Sequence, residues 1–235
     1  MQKRMTIEQF LVQVQGQLIA SCQALPEEPL HGTEIMVRMA RAAKLGGARA
    51  IRANSPQDVK AIKDNIGLPV IGIFKDFIAG YDVYITPTMR HVIAIAETGA
   101  EVVAIDATQQ KHPDGDLEDF IRRIKDETPC LVMADISTYE EGMQAAKYGA
   151  DLISTTLSGY TSYSKKVDGP DLKLVERLAG DCGAPVIAEG KYHTPEQAAA
   201  ALDHGAASVV VGGAISRPQQ ITARFVDALN NRQKN

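Results

Sequence analysis

The amino-acid sequence predicts an α/β protein folded as a single (β/α)8 barrel, or TIM barrel, and two observations support that fold. Eight short apolar runs recur along the chain, and a segment with helical periodicity follows each of them. Several of those segments begin with Ser or Thr, often followed by Pro, and end in a Gly-Ala pair just before the next run. Eight βα units account for the 235 residues, so we expect residues 1–235 to be one domain.

The eight apolar runs are the predicted strands. In chain order they cover residues 16–23, 48–54, 69–76, 101–106, 130–135, 150–156, 185–189 and 207–212. Their nearly unbroken hydrophobicity is typical of parallel strands buried on both faces by helices. A doubly wound open sheet is the competing fold, but it usually has about five or six strands and a glycine fingerprint after the first. Residues 24–30, which follow the first strand, read Ala-Leu-Pro-Glu-Glu-Pro-Leu, so the barrel is favoured.

Capping residues predict where the helices begin and end. The expected N-caps are Ser55, Thr86, Ser137 and Thr194, and the expected helix ends are Gly47, Gly99, Gly149, Gly183 and Gly205. Residues 1–15 are expected to form an amphipathic helix before the first strand, with Thr6 and Gln9 as a partial capping box. That helix would close the bottom of the barrel. The connection from residue 76 to 86 carries three aromatic residues and is either a lid, a subunit contact or an exposed loop.

Composition argues against several classes of partner. A net charge of -4 and a pI near 5.8, with basic residues scattered among acidic ones, predict no nucleic-acid partner. Cys22, Cys130 and Cys182 are widely spaced, which suggests neither a disulfide framework nor a thiolate metal site and fits a reducing cytoplasm. No signal-peptide core and no apolar run of about 18 residues is present. We therefore expect a soluble cytoplasmic protein with no membrane partner.

Polar residues end the predicted strands and are expected to surround the barrel mouth, where active sites of this fold lie. They are Gln23, Arg52, Lys75, Asp106, Asp135, Thr156 or Ser158, and Glu189, with Gly212 and Gly213 after the eighth strand. Side chains in one barrel layer come from alternate strands, so Gln23, Lys75, Asp135 and Glu189 are expected to share a layer. Strands three and seven lie opposite each other. Lys75 and Glu189 would therefore approach a central ligand from opposite sides.

Two opposed acid/base groups suit a reaction that inverts a carbon next to a carbonyl. One group removes the proton from one face and the other returns a proton to the opposite face, each contributing about 10² to 10⁴ in rate. A lysine with a pKa near its free value of about 10.4 is a poor base at neutral pH. Asp135 and Glu189 would hold the proton of Lys75, whereas burial and Arg52 would remove it. A Schiff base between Lys75 and a carbonyl substrate is the alternative.

Glycines after the seventh and eighth strands predict a phosphate site. Gly190, Gly212 and Gly213 precede short helical turns, where backbone N–H groups bind phosphate in this fold, and Arg217 adds a positive charge. A plain glycine turn is the alternative. The five histidines lie outside the strand ends and form no H-x-x-x-H pair, so no metal site is expected.

Eight segments carry a resemblance to a known family. They are Ser21-Cys-Gln-Ala-Leu25, Ile51-Arg-Ala-Asn54, Gly72-Ile-Phe-Lys75, Asp106-Ala-Thr108, Met133-Ala-Asp-Ile-Ser137, Thr155-Thr-Leu-Ser-Gly-Tyr160, Ile187-Ala-Glu-Gly190 and Val211-Gly-Gly-Ala-Ile-Ser-Arg-Pro218. In this order, across residues 16 to 228, they resemble the bacterial N-acetylmannosamine-6-phosphate 2-epimerases of sialic-acid catabolism. Ser216 stands where threonine is expected in the family motif.

The resemblance implies an isomerase that needs no cofactor and interconverts N-acetylmannosamine 6-phosphate and N-acetylglucosamine 6-phosphate through proton exchange at C2 of the open-chain sugar. Lys75 matches the family's catalytic lysine and Glu189 its second acid/base group. By the same match, Gln23, Arg52 and Asp135 orient the substrate, and Gly190, Gly212, Gly213 and Arg217 bind its phosphate. A homodimer is also implied. A Schiff-base aldolase or lyase and a non-catalytic phosphosugar-binding barrel stay open as alternatives.

Overall fold

A closed barrel of parallel strands forms the centre of the computed structural model, which describes residues 5–232. The strands are β1 (Leu18–Cys22), β2 (Ala50–Asn54), β3 (Val70–Ile73), β4 (Val102–Asp106), β5 (Leu131–Asp135), β6 (Leu152–Ser154), β7 (Val186–Glu189) and β8 (Ser208–Val211). Each pairs with its sequence neighbours, and β8 pairs with β1. The closed order confirms the (β/α)8 prediction, because an open doubly wound sheet would leave two unpaired edges.

Helices alternate with the strands along the chain. They are α1 (Ile7–Val14), α2 (Thr33–Leu45), α3 (Pro56–Ile66), α4 (Met89–Ala96), α5 (Leu117–Glu127), α6 (Tyr139–Lys147), α7 (Leu172–Asp181), α8 (Pro195–Asp203) and α9 (Pro218–Asn231). The five glycines predicted to follow helices all have positive φ, between 72° and 103°. No helix within residues 5–232 is long and apolar enough to cross a membrane.

The predicted helix starts are partly right. Ser55 and Thr194 are N-caps whose side chains accept from the backbone of α3 and α8. The start predicted at Thr86 is wrong, since α4 begins two residues later with Thr88 as N-cap. The Thr86 hydroxyl instead accepts a hydrogen bond from the Phe74 backbone at 3.1 Å. That bond ties the residue to the end of β3, so it cannot also cap a helix.

The start predicted at Ser137 is displaced by one residue. Thr138 is the N-cap of α6, with a complete capping box to Glu141. The Glu141 carboxylate also accepts from the backbone and hydroxyl of Ser137, at 2.7 and 2.8 Å. Ser137 is therefore held just outside the helix by the carboxylate that completes its cap.

The barrel interior changes character along its axis. Below its C-terminal mouth it is filled by apolar side chains from every strand, which include Ile19, Ala50, Ile71, Val102, Leu131, Leu152 and Ile187, with Val210 at the boundary with the mouth. Phe10 and Val14 of α1 are fully buried in the same cluster. The predicted N-terminal helix thus precedes β1 and closes the bottom of the barrel. The first four residues of the predicted 1–15 segment lie outside the described residues.

Candidate active site

The C-terminal mouth of the barrel holds a cavity of about 300 Å³. Strand side chains alternate between the interior and the surrounding helices, so a polar residue at an interior position near a strand end faces this mouth. The predicted site residues that line the cavity are Gln23, Arg52, Lys75, Glu189, Gly190, Gly212, Gly213 and Arg217. Asp135 is fully buried directly beneath them and contacts Arg52. The structure therefore brings all nine predicted residues to one place.

Arg52 organises the floor of the cavity. Its side chain is only 1% exposed and donates to both oxygens of Asp135, at 3.0 and 2.5 Å. It also donates to Glu189 Oε2 at 2.6 Å. Burial alone disfavours the charged guanidinium, but the carboxylates of Asp135 and Glu189 raise its pKa above the ordinary value. The cation is therefore permanent, and it fixes two carboxylates from different strands.

Glu189 is the carboxyl group that faces the cavity. Its side chain retains 14% exposure, whereas that of Asp135 retains none. Burial raises the pKa of Glu189 to about 7, against the opposing effect of Arg52 and with the Asp135 charge adding to the rise. Thr155 holds its backbone on both sides, accepting from the Glu189 N–H at 3.1 Å and donating to the carbonyl at 2.9 Å. Glu189 can therefore carry or release a proton near neutral pH.

Lys75 lies just beyond the end of β3. Its backbone N–H donates to the Asn54 side chain at 2.9 Å, and the residue forms an antiparallel bridge with Ile85. Burial lowers the pKa of Lys75 to about 8, and the positive charges of Arg52 and Arg217 act in the same direction. The sequence left open whether the carboxylates or burial would decide this pKa. Burial decides it, so a fraction of Lys75 is uncharged near neutral pH.

The predicted phosphate end of the cavity is formed by backbone at the ends of β7 and β8. Gly190 has φ +106°, and an added Cβ would lie 3.4 Å from two carbonyl oxygens. An added Cβ at Gly212 would lie 3.4 Å from Ser21 Cβ. Arg217 precedes α9 and pairs with Glu28 through two hydrogen bonds, at 2.5 and 2.9 Å. Its charge is therefore fixed at the rim by a carboxylate.

Several polar residues that line the cavity were not assigned to the site from the sequence, among them Tyr84, Thr156, Tyr160 and Lys191. Tyr84 comes from the 76–86 connection, Thr156 and Tyr160 follow β6, and Lys191 follows Gly190. Burial raises the pKa of Tyr84 to about 12. Thr156 was one of the predicted strand-end residues, but nothing in the sequence gave it a contact. Lys191 has φ +61°, and its ammonium group donates to the Val167 carbonyl at 2.9 Å.

Two of the predicted strand-end residues, Asp106 and Ser158, do not line the cavity. Asp106 accepts from the Thr108 backbone and hydroxyl, at 3.1 and 2.6 Å, and burial raises its pKa to about 6. Ser158 donates to Asp171 at 3.3 Å. Within residues 5–232, no three His, Cys, Asp or Glu side chains are grouped so that they could hold a metal ion.

Comparison with known proteins yields consistent matches. Residues 36–231 match the family model described as putative N-acetylmannosamine-6-phosphate epimerase. A putative N-acetylmannosamine-6-phosphate 2-epimerase of Caldanaerobacter subterraneus subsp. tengcongensis is 55% identical over 226 residues, which is 95% of each chain. One from Clostridioides difficile is 52% identical and covers 94% of this chain and 99% of its own. The structure of N-acetylmannosamine-6-phosphate 2-epimerase from Clostridium perfringens is similar with TM-score 0.90 and 52% identity, covering 93% of this chain and 95% of that one.

Proposed function

Because the chain belongs to the N-acetylmannosamine-6-phosphate epimerase family, we propose that it interconverts N-acetylmannosamine 6-phosphate and N-acetylglucosamine 6-phosphate. The observation that carries this proposal is the pair of groups in one cavity whose pKa values are displaced towards neutrality. Burial lowers the pKa of Lys75 to about 8 and raises that of Glu189 to about 7. Such a pair supplies one base and one acid at the same pH.

The reaction requires the open-chain sugar, because C2 is acidic only when C1 is an aldehyde. One of the two groups takes the C2 proton, and the C–H electron pair moves towards C1 to give an enediol-type intermediate. The other group delivers a proton to the opposite face of C2, and the C1 carbonyl forms again. No atom is lost and no electron is transferred to an acceptor. In the reverse direction Lys75 and Glu189 exchange roles.

Arg52 and Asp135 support this chemistry from beneath. The buried guanidinium donates to Glu189, and its bidentate pairing with Asp135 fixes the direction of that donation. Gln23 lines the same cavity and donates to Ser21 at 2.8 Å, which leaves its amide oxygen available to a sugar hydroxyl. In our proposal Gln23, Arg52 and Asp135 orient the substrate.

The phosphate of the substrate is assigned to the backbone end of the cavity. Gly190, Gly212 and Gly213 let an anion approach the main chain closely, and Arg217 supplies positive charge at the rim. A site of this kind anchors the substrate far from C2, so that binding energy from the phosphate positions the reacting carbon.

We also propose that the protein acts in the cytoplasm as a homodimer, with residues 1–235 as one domain. Support for the dimer comes from α9, which buries none of its residues and leaves Phe225 70% and Leu229 62% exposed. Exposed apolar side chains at regular helical spacing are typical of an association surface. Sedimentation at micromolar concentration tests this, and a monomer would contradict it.

Proton NMR in D₂O tests the proposed reaction directly. The protein is expected to wash out the C2 proton signal of N-acetylmannosamine 6-phosphate while the signals of N-acetylglucosamine 6-phosphate appear. Lys75→Met is the matched control and should leave the C2 signal in place. Retention of the C2 proton with the unmodified protein would overturn the proposed function. A borohydride-stable mass increase at Lys75 with the sugar phosphate present would instead indicate a Schiff-base enzyme.

A further inference from the structure

Thr156 contacts the acid/base carboxyl group and its neighbour at the same time. Its hydroxyl oxygen lies 2.7 Å from Asp135 Oδ1 and 3.1 Å from Glu189 Oε2. The Ser154 hydroxyl lies 2.8 Å from the same oxygen, and Arg52 Nη1 donates to it at 3.4 Å. A threonine hydroxyl has one hydrogen to donate and two lone pairs to accept. It can therefore donate to only one of the two carboxyl groups at a time.

The two carboxyl groups differ in how many hydrogen bonds they accept from Arg52. Both oxygens of Asp135 already accept from Arg52. Glu189 accepts from Arg52 through Oε2 alone. When Glu189 is ionised, turning the hydroxyl from Asp135 to Glu189 gives the carboxylate its second donor and leaves Asp135 with two. When Glu189 is protonated, the hydroxyl returns to Asp135.

We propose that Thr156 is a positioning residue that stabilises the ionised form of Glu189 by turning its single hydroxyl hydrogen towards Oε2. This inference rests on the proposed function only for the acid/base role of Glu189. Loss of the hydroxyl costs the carboxylate a donor at Oε2, the oxygen that Arg52 also contacts. It costs the acid little, because Oε1, which neither Arg52 nor Thr156 contacts, can carry the proton. Removing the hydroxyl therefore makes Glu189 harder to ionise.

Other titratable groups near Glu189 also influence its pKa, and the test must leave them unchanged. Arg52 faces it from β2, Lys75 from the end of β3, Asp135 from β5 and Tyr160 from the loop after β6. Lys191, His193 and Arg217 line the same cavity. A valine at position 156 leaves all of these in place, since it has nearly the shape of threonine. The Thr156→Val variant therefore isolates the hydroxyl.

The neighbouring residue provides a matched control. Thr155 also hydrogen-bonds to Glu189, but only to its backbone N–H and carbonyl. Thr155→Val and Thr156→Val thus remove the same hydroxyl from adjacent positions that contact the same glutamate. Only the second contacts the carboxyl group. Thr156→Ser keeps the hydroxyl and removes the methyl group, so it should behave like the parent.

The test is a titration of the carboxyl carbon of Glu189 by NMR, in protein labelled with ¹³C at the glutamate carboxyl. The signal is assigned by its absence in Glu189→Gln. We expect Thr156→Val to raise the Glu189 midpoint by about one pH unit, the size of one hydrogen bond to a charged group. Thr156→Ser and Thr155→Val should stay close to the parent.

An unchanged midpoint in Thr156→Val, or an equal rise in Thr155→Val, would overturn the assignment. A rise in both Thr156→Val and Thr156→Ser would also overturn it, because packing of the methyl group would then be responsible. The titration needs no turnover, so it can fail while C2 exchange succeeds. It can equally succeed in a protein that shows no exchange.

Discussion

The two ends of the barrel interior follow the same alternation of side chains but contain opposite chemistry. At the N-terminal end Phe10 and Val14 of α1 close an apolar core that every strand contributes to. At the C-terminal end the same inward positions carry Arg52, Asp135 and Glu189. Apolar burial stabilises the fold, whereas burial of charge costs free energy unless the charges are paired. The barrel therefore gains its stability at one end and shifts pKa values at the other.

Lys75→Met should have the largest effect, and it should change activity at the C-terminal end of the barrel without lowering stability. We expect the rate of C2 exchange to fall by about 10²- to 10⁴-fold, which is what a positioned acid/base group contributes. The melting temperature should stay the same or rise, because a half-buried cation that burial disfavours is removed. NMR exchange and calorimetry measure the two effects.

Lys63→Met is the matched control for that substitution. Lys63 is also half-buried, but it pairs with Glu101 at 2.5 Å on the helix side of the sheet. The variant should lose stability and keep its exchange rate. If Lys63→Met and Lys75→Met had the same effect on turnover, the division between the two ends would be wrong.

Phe10→Ala should have the reverse outcome at the N-terminal end. The ring is fully buried, so we expect the free energy of unfolding to fall by about 3 kcal/mol, as for other buried phenylalanine truncations. The kcat well below the melting temperature should change less than about twofold, because Phe10 lies beneath the apolar layers and far from the mouth. Urea unfolding and kinetics test this. A large loss of kcat in a folded variant would show that the two ends are coupled.

Glu189→Gln should change how stability depends on pH. Burial raises the pKa of Glu189 to about 7, so between about pH 4.5 and 7 the folded protein holds a proton that the unfolded chain has released. The free energy of unfolding therefore falls as pH rises through this window. The variant lacks this loss. From pH 5 to pH 8, its free energy of unfolding should therefore rise relative to that of the parent by about 1 to 3 kcal/mol.

Urea unfolding at the two pH values measures that gain. Glu176→Gln is the control, because Glu176 is exposed on α7. It should leave the difference between pH 5 and pH 8 as it is in the parent. An equal pH dependence in Glu189→Gln and the parent would contradict the raised pKa.

Gly212→Ala should give the smallest effect, and it tests which end of the cavity binds the phosphate. An added methyl group fits at 3.4 Å from Ser21 Cβ, so the fold should persist. The methyl group would occupy the proposed phosphate end, and we expect KM for the sugar phosphate to rise about tenfold, or about 1.4 kcal/mol, with kcat little changed. Gly180→Ala on α7 is the control, because an added Cβ there meets no atom within 4 Å. A similar change in KM for both variants would contradict the phosphate assignment.

Much of this molecule was predictable from local sequence. Runs of apolar residues defined all eight strands, because parallel strands covered on both faces need continuous hydrophobicity. Glycines with positive φ marked the helix ends for a local steric reason. The helix start predicted at Thr86 shows where local reasoning ends. Thr86 is a good capping residue, yet its hydroxyl accepts from the backbone of Phe74, twelve residues away. The shift at Ser137 is local, because Glu141 completes its capping box with Thr138.

The site was predictable as a set of residues but not as a network. Strand-end positions identified Lys75, Arg52, Asp135 and Glu189 without any knowledge of their contacts. The pairing of Arg217 with Glu28 joins residues 189 positions apart, and that of Arg52 with Asp135 joins residues 83 apart. No periodicity encodes such separations. Thr156 was one polar strand-end residue among several until its position between two carboxyl groups was known.

The sequence by itself therefore determined the fold class, the end of the barrel that carries polar groups, and the family likeness. These depend on periodicity, turn residues and short motifs, which act over a few residues. Only the tertiary structure decided that burial outweighs the neighbouring carboxylates at Lys75, and that Glu189 is partly open to the cavity while Asp135 is closed off. Desolvation depends on every atom packed around a group, and that environment exists only in the folded barrel.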